Sequence, residues 1–233
     1  MSRPMNCSFQ IRNLKKSIRE TALNAGRDPE KIRLVIVTKT VAPVVIREAY
    51  DAGERDFGEN RVQEWQEKKE ALPSDVLWHL IGHLQTNKVK TVIGKVGLIH
   101  SLDRPSLVAE IEKQARAKGV KEVPCLLQVN MSREETKSGC APEEITAVLE
   151  AIAAAPSIRL KGLMTIGPLT VDEGKIRDCF RKTRELFESL KNDHSGHAWE
   201  ILSMGMSADY KIAIEEGANM LRIGSLVFPR EKV

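Results

Sequence analysis

No apolar stretch in the 233-residue chain approaches the roughly 20 residues of a membrane span, and its opening, MSRPMNCSFQIRNLKKS, lacks the apolar centre of a secretory signal. A cytoplasmic protein with no membrane partner is expected. Its four cysteines, Cys7, Cys125, Cys140 and Cys179, contain no C-x-x-C pair, so the sequence indicates neither a zinc site nor a disulfide framework. Against 36 basic residues stand 32 acidic ones, a net charge of +4 without a long basic block, and no nucleic-acid partner is expected. No glycine-rich dinucleotide fingerprint follows the first strand candidate, which argues against a nicotinamide-binding doubly wound domain. His79 and His83 have the separation of a helical zinc pair, but the glutamate of H-E-x-x-H is missing and the segment reads as a strand. No metal is expected, although His83 at the strand end could contact a ligand. Lys88 and Lys90 read as a solvated helix face.

What is present is a 42% hydrophobic, 29% charged composition able to bury a substantial core, with no Pro/Gly/Ser-rich linker dividing it. Short β-branched runs alternate with longer stretches of helical periodicity. The strand candidates are Arg33–Lys39, Asp56–Gly58, Leu77–Gly82, Gly97–Ser101, Val123–Asn130, Arg159–Ile166, Glu200–Ser203 and Met220–Gly224. Between them, Pro43 opens a helix ending near Gly53, Pro142 opens another, and Ser207 is placed to cap one that stops at Gly217. Ile176, Phe180, Thr183, Phe187 and Leu190 make an apolar stripe on a helix over Asp172–Asn192. A further helix, about residues 8–25, is suggested by Ile11, Leu14, Ile18 and Ala22 ahead of the first strand. Eight strand–helix units predict one α/β domain over residues 1–233, a (β/α)8 barrel with an extra N-terminal helix.

In such a barrel, function sits at the C-terminal ends of the strands, and phosphate is often held after strands seven and eight. There the chain reads Leu202-Ser203-Met204-Gly205-Met206-Ser207 and Arg222-Ile223-Gly224-Ser225. Glycines let backbone amides approach an anion, and a helix opened by Ser207 would add N–H groups and the positive end of its dipole. Either loop alone is equally an ordinary turn and cap. Lys39 ends the first strand, LVIVTKT, and would share that mouth, where an amine near a phosphate-anchored ligand can form a Schiff base with a carbonyl. Read by itself it is as well a strand-end lysine reaching solvent. Glu59 could serve as an acid or base, on weak evidence.

Several blocks in order, LVIVTKT, RDFGENRVQE, WHLIGHLQTNKVK, IHSLDR, LLQVN followed by KSG, GLMTI, LSMGMSADY and MLRIGSLVF, resemble the YggS/PROSC family of pyridoxal-phosphate-binding proteins and span nearly the whole chain. The resemblance implies a barrel similar to the N-terminal domain of alanine racemase, with pyridoxal 5′-phosphate bound as an aldimine to Lys39. It further implies Arg222 beside the pyridine nitrogen, Asn60 as a cofactor neighbour, and Ser203, Gly205, Met206, Ser207, Gly224 and Ser225 as the phosphate cradle. Two departures are modest: TKT stands where SKT is common, and VFP where IFG is common.

A cationic Arg222 beside the pyridine nitrogen would disfavour its protonation and weaken the ring as an electron sink. A racemase of the related fold also draws a second acid–base, a tyrosine, from an additional β-domain of the partner subunit. The sequence runs to Val233, soon after the eighth strand, so that domain is not expected, and its two tyrosines, Tyr50 and Tyr210, fall on predicted helices. The implied function is a non-catalytic, monomeric binder that stores, buffers or delivers the cofactor, with apo-enzymes as recipients, and maintains amino- and keto-acid balance. A pyridoxal-phosphate-dependent racemase and a cofactor-free Schiff-base aldolase are the alternatives. Lys137, after the fifth strand, is a candidate for passing the aldehyde on, or a mobile surface lysine.

Overall fold

The protein is described by a computed structural model covering residues 7–194 and 196–229. Residues 1–6 and 230–233, counted in the expected single domain, lie outside the described residues. Eight parallel strands close into a barrel in sequence order: β1 (Arg33–Val37), β2 (Asp56–Glu59), β3 (Leu77–Leu80), β4 (Leu98–Leu102), β5 (Val123–Gln128), β6 (Ile158–Met164), β7 (Ile201–Ser203) and β8 (Met220–Ile223). Closure is made where β1 runs beside β8, Arg33 opposite Met220 and Ile36 opposite Ile223. All eight expected strands form. The first is shorter than expected and stops at Val37, leaving Thr38 and Lys39 beyond it.

The helices follow the strands as α2 (Pro43–Asp51), α3 (Val62–Ala71), α4 (Val89–Val92), α5 (Pro105–Lys118), α6 (Ile145–Ala153), α7 (Glu173–Asp193) and α8 (Tyr210–Glu215), after an initial α1 (Cys7–Asn24). Proline opens α2 and α5 because its missing N–H is one a first helical turn cannot use and its fixed φ suits the turn. Asp172 caps α7 by accepting the Lys175 N–H at 3.2 Å. The stripe Ile176, Phe180, Thr183, Phe187 and Leu190 is buried beneath it. Ile11, Leu14, Ile18 and Ala22 of α1 are buried against α2 and α8, and the Ser17 hydroxyl meets the Tyr210 phenol at 2.8 Å. The extra helix is thereby fixed to the outside of the barrel.

Two apolar layers result. A large one lies between strands and helices; a small one, Val35, Leu98, Leu126, Met164 and Met220, fills part of the barrel interior. In β6 one extra residue is accommodated between Leu160 and Leu163 opposite Cys125 and Leu127. Gly162 occupies that irregularity at φ +145°, where a Cβ would fall 1.9 Å from the Ile201 carbonyl oxygen. Only glycine lets β6 and β7 approach so closely. All four cysteines are buried and unpaired, and among the described residues no helix is long and apolar enough to cross a membrane.

Candidate functional site

At the C-terminal ends of the strands a cavity of about 790 Å³ opens to solvent. Lys39 and Asn60 enter it from the loops after β1 and β2, Met206 and Ser207 from the loop after β7, Arg222 from β8, and Gly224 and Ser225 from the turn beyond. Val37, Val41, Val45, Ile81, Ile166 and Phe228 supply an apolar wall. Such a site, mostly apolar with a few convergent polar groups, suits a small ring-bearing ligand. Seven of the nine residues expected at a cofactor site therefore share one cavity. The other two, Ser203 and Gly205, do not line it. Ser203 is fully buried inside the barrel, and Gly205 stands behind the loop at φ +96°, where a Cβ would come 2.6 Å from Ala213 Cβ.

Lys39 is exposed, but its loop is not free. The Thr38 hydroxyl donates to Glu59 Oε1 at 2.5 Å, and Lys68 Nζ donates to the same oxygen at 2.6 Å and to the Thr38 carbonyl at 2.8 Å. One residue past Lys39, the Thr40 N–H donates to Glu64 Oε2 at 3.0 Å. Thr40 itself adopts φ +61°, a left-handed conformation costly for a β-branched residue and held only because the surroundings impose it. Burial raises the Glu59 carboxyl above its ordinary range even though Lys68 and Thr38 pull the other way. Glu59 is thus a structural clamp beneath Lys39, and it does not line the cavity.

Arg222 is buried, donating from Nη1 to Ser203 Oγ at 2.6 Å and from Nη2 to the Thr165 carbonyl at 2.8 Å. Burial pushes it down to about 10, with Asp209 opposing, so it stays cationic at neutral pH. The buried charge is fixed in orientation by two acceptors, one on β7 and one just past the end of β6. Its own N–H donates to the Gly205 carbonyl at 3.0 Å, tying the two expected phosphate loops together.

The helix expected to be capped by Ser207 starts later. Ser207 lies in a turn, and α8 begins at Tyr210 and runs only six residues. Asp209 takes over because its buried carboxylate accepts the Met206 N–H at 2.6 Å, closing the turn from within. Desolvation raises Asp209, with the Met206 N–H and Arg222 offsetting part of that rise. The dipole of so short a helix adds little, and the loop's usable features are its backbone and the Ser207 side chain. At Gly224 a Cβ would sit 3.0 Å from the Val37 carbonyl oxygen, so the strand ends of β1 and β8 approach closely only with glycine there.

Other candidates fall elsewhere. His83 is exposed and lies 3.6 Å from Asp103, away from the cavity lining. Lys137 donates to the Gly167 carbonyl at 2.5 Å and pairs with Glu134 at 3.0 Å, strapping the loop after β5 to the loop after β6. Neither tyrosine lines the cavity: the Tyr50 phenol donates to Asp75 at 2.7 Å and Tyr210 meets Ser17. Sequence reasoning missed two buried polar positions, His100 on β4 and Lys68 on α3. A lone basic residue within an otherwise apolar buried face was the available signal.

The residues present fit a phosphorylated pyridine aldehyde: one lysine amine at the mouth, one fixed cation deeper in, and two glycine-bearing loops drawn together beside them. The alanine racemase N-terminal domain family matches residues 12–230. A pyridoxal phosphate homeostasis protein of Aquifex aeolicus is 44% identical over 98% of this chain and 100% of its own length. One of the same description from Escherichia coli is 35% identical over 95% of each chain. Among solved structures, PipY of Synechococcus elongatus with PLP bound superposes at TM-score 0.79 and 33% identity, covering 91% of this chain and 99% of that one. Alanine racemase of Corynebacterium glutamicum shares the barrel at TM-score 0.69 and 16% identity, covering 94% of this chain and 61% of that one. The chain belongs to the alanine racemase N-terminal domain family and, within it, to the pyridoxal phosphate homeostasis proteins.

Proposed function

We propose that this chain binds pyridoxal 5′-phosphate in the cavity through an imine to Lys39 and stores, buffers or delivers it in the cytoplasm without robust turnover. The observation that carries the reading is the convergence of Lys39, Arg222 and the loops after β7 and β8 on one cavity. Asn60 flanks the ring, while the backbone and hydroxyls of Met206, Ser207, Gly224 and Ser225 receive the phosphate. Ser203 and Gly205 act from behind, the first holding Arg222 and the second accepting its backbone N–H.

The bound cofactor supplies an aldehyde and an electron-withdrawing ring; the protein decides how far that ring is used. Arg222 remains charged at neutral pH and offers only donors, so beside it the pyridine nitrogen stays unprotonated and the ring stays a poor electron sink. Among the described residues no tyrosine faces the cavity to exchange a proton on the side opposite Lys39. Both features favour holding the cofactor over racemising an amino acid. The protein works as a monomer and passes the cofactor to apo-enzymes.

Purified protein loaded with pyridoxal 5′-phosphate and reduced with borohydride tests this. The expected result is a visible absorbance lost on reduction, with the cofactor mass retained on Lys39 and no racemisation or transamination. Lys39→Ala should abolish absorbance and adduct. A mass on another residue, or robust turnover dependent on Lys39, would overturn the proposal.

A further inference from the structure

Across the barrel interior runs a file of polar side chains that the apolar filling does not explain. Arg222 Nη1 donates to Ser203 Oγ at 2.6 Å, and Ser203 Oγ lies 3.4 Å from His100 Nδ1. His100 Nε2 is 3.0 Å from His79 Nδ1, and His79 Nε2 is 2.8 Å from Asp56 Oδ1. Asp56 pairs with Arg33 at 2.7 Å on the opposite, N-terminal face of the barrel, where both are partly exposed. Six strands contribute, counting β1 through Arg33, so no short motif contains the arrangement. Ser203, His100 and His79 are almost completely buried.

The ends of the file fix its direction. A guanidinium can only donate, and an ionised carboxylate can only accept. Ser203 therefore accepts from Arg222 and is free to donate to His100 Nδ1. His100 then carries its proton on Nε2 and donates to His79 Nδ1, and His79 carries its proton on Nε2 and donates to Asp56. Four hydrogen bonds point one way, with both imidazoles neutral. Asp56 is held below its ordinary range chiefly by His79 and Arg33, against the desolvation that would raise it.

We propose that His79 and His100 are positioning residues which, through Ser203, hold the Arg222 guanidinium in the plane required beside the ring of the bound ligand. This rests on the binding reading above. The groups around the pair are Asp56 from β2 and Arg33 from β1 on the His79 side, and Ser203 from β7 and Arg222 from β8 on the His100 side. His100 resists charge because it is buried and has His79, Arg222 and Arg33 nearby.

The first test needs no ligand. Nitrogen-15 spectra of histidine side chains at pH 8 should show the Nε2–H tautomer at both His79 and His100. The rotation rate of the Arg222 guanidinium should rise at least several-fold in His100→Gln, and the Kd for pyridoxal 5′-phosphate about tenfold, the scale of one lost hydrogen bond to a charged group. The visible band of the bound cofactor should shift with it. Ser203→Ala serves if His100→Gln does not fold, and should loosen the guanidinium likewise. An Nδ1–H tautomer at His100 at pH 8, or unchanged guanidinium rotation in a folded variant, would overturn the proposal. Failure of wild-type protein to bind pyridoxal 5′-phosphate would instead sink the binding reading, since the tautomers and rotation are read without it.

Discussion

Replacing Lys68 by methionine removes one half of an ion pair that is almost wholly buried: the Lys68 side chain is 7% exposed and that of Glu59 0%. Methionine retains the volume of the stem, so the local packing is conserved to first order and the change is mainly electrostatic. Glu59 Oε1 loses its 2.6 Å contact and keeps only the Thr38 hydroxyl, while Oε2 has no protein partner to begin with. Breaking a buried pair from one side costs about 3–5 kcal/mol, because the remaining charge is left in a poorly polarisable interior. The loss should depend on pH. Glu59 already has a folded-state value above its ordinary 4.5 because of burial, and removing the amine raises it further. A carboxyl whose folded value is raised contributes stability that is present below the unfolded value and lost as pH rises through the folded one. Lys68→Met should therefore lie nearest wild type at about pH 5 and diverge towards pH 8, by at most about 1.4 kcal/mol per pH unit while Glu59 titrates. Urea unfolding followed by circular dichroism at both pH values measures this. Glu59→Leu/Lys68→Met, which removes both charges, should recover most of the loss, as buried pairs commonly do when replaced by apolar groups. A loss below about 1 kcal/mol at pH 8, or a double variant less stable than the single, would refute the clamp.

Gly162→Ala should prevent accumulation of folded protein, since the added carbon would fall 1.9 Å from the Ile201 carbonyl oxygen with no flexible side chain to yield; a cooperative melt near that of wild type would contradict this. Gly205→Ala meets Ala213 Cβ at 2.6 Å from a left-handed backbone and should cost about 2–4 kcal/mol in urea unfolding, with weaker pyridoxal 5′-phosphate binding as the loop shifts. Arg222→Lys cannot reproduce two donors aimed at Ser203 and the Thr165 carbonyl, and titration followed by fluorescence should show Kd for the cofactor raised about tenfold or more. Tyr210→Phe removes the contact to Ser17 and should cost about 1 kcal/mol while leaving the cofactor's visible band unchanged, because that phenol faces α1 and not the cavity.

The fold was legible because its signals are local. Eight β-branched runs separated by helical periodicity are each readable within about ten residues, and the stripe on α7 reports its buried face directly. Errors fell at the ends of elements, where side chains decide. LVIVTKT reads as strand to Lys39, yet Thr38 turns aside because its hydroxyl finds Glu59 and its carbonyl finds Lys68, both supplied by later segments. Ser207 reads as a cap, yet Asp209, two residues on, engages the Met206 N–H more strongly with a carboxylate.

What could not be read is the barrel's interior, and the reason is geometric. In a closed sheet, inward side chains from β2, β3, β4, β7 and β8 meet at hydrogen-bond distance although Asp56 and Arg222 stand far apart in sequence. In one stretch His79 and His83 resemble a pair because they are close along the chain, but they part company in space. His79 points inward to His100, and His83 outward to Asp103. Spacing along one strand reports which face a residue takes; only the pairing of strands reports what it faces. Isolated polar residues on an otherwise apolar strand face, such as His100 in Leu98–Leu102, are therefore the positions at which a barrel sequence announces an interior partner without naming it. Here the partners chain together from Arg33 to Arg222, so the deep wall of the cavity is held by residues on the far side of the molecule. The loop that carries Lys39, by contrast, is held at Thr38 and Thr40 by Glu59, Glu64 and Lys68. The two groups proposed to grip the ligand thus rest on supports that share no residue, and variants of those supports, Lys68→Met and His100→Gln, should combine additively in urea unfolding, as distant, unshared sites do.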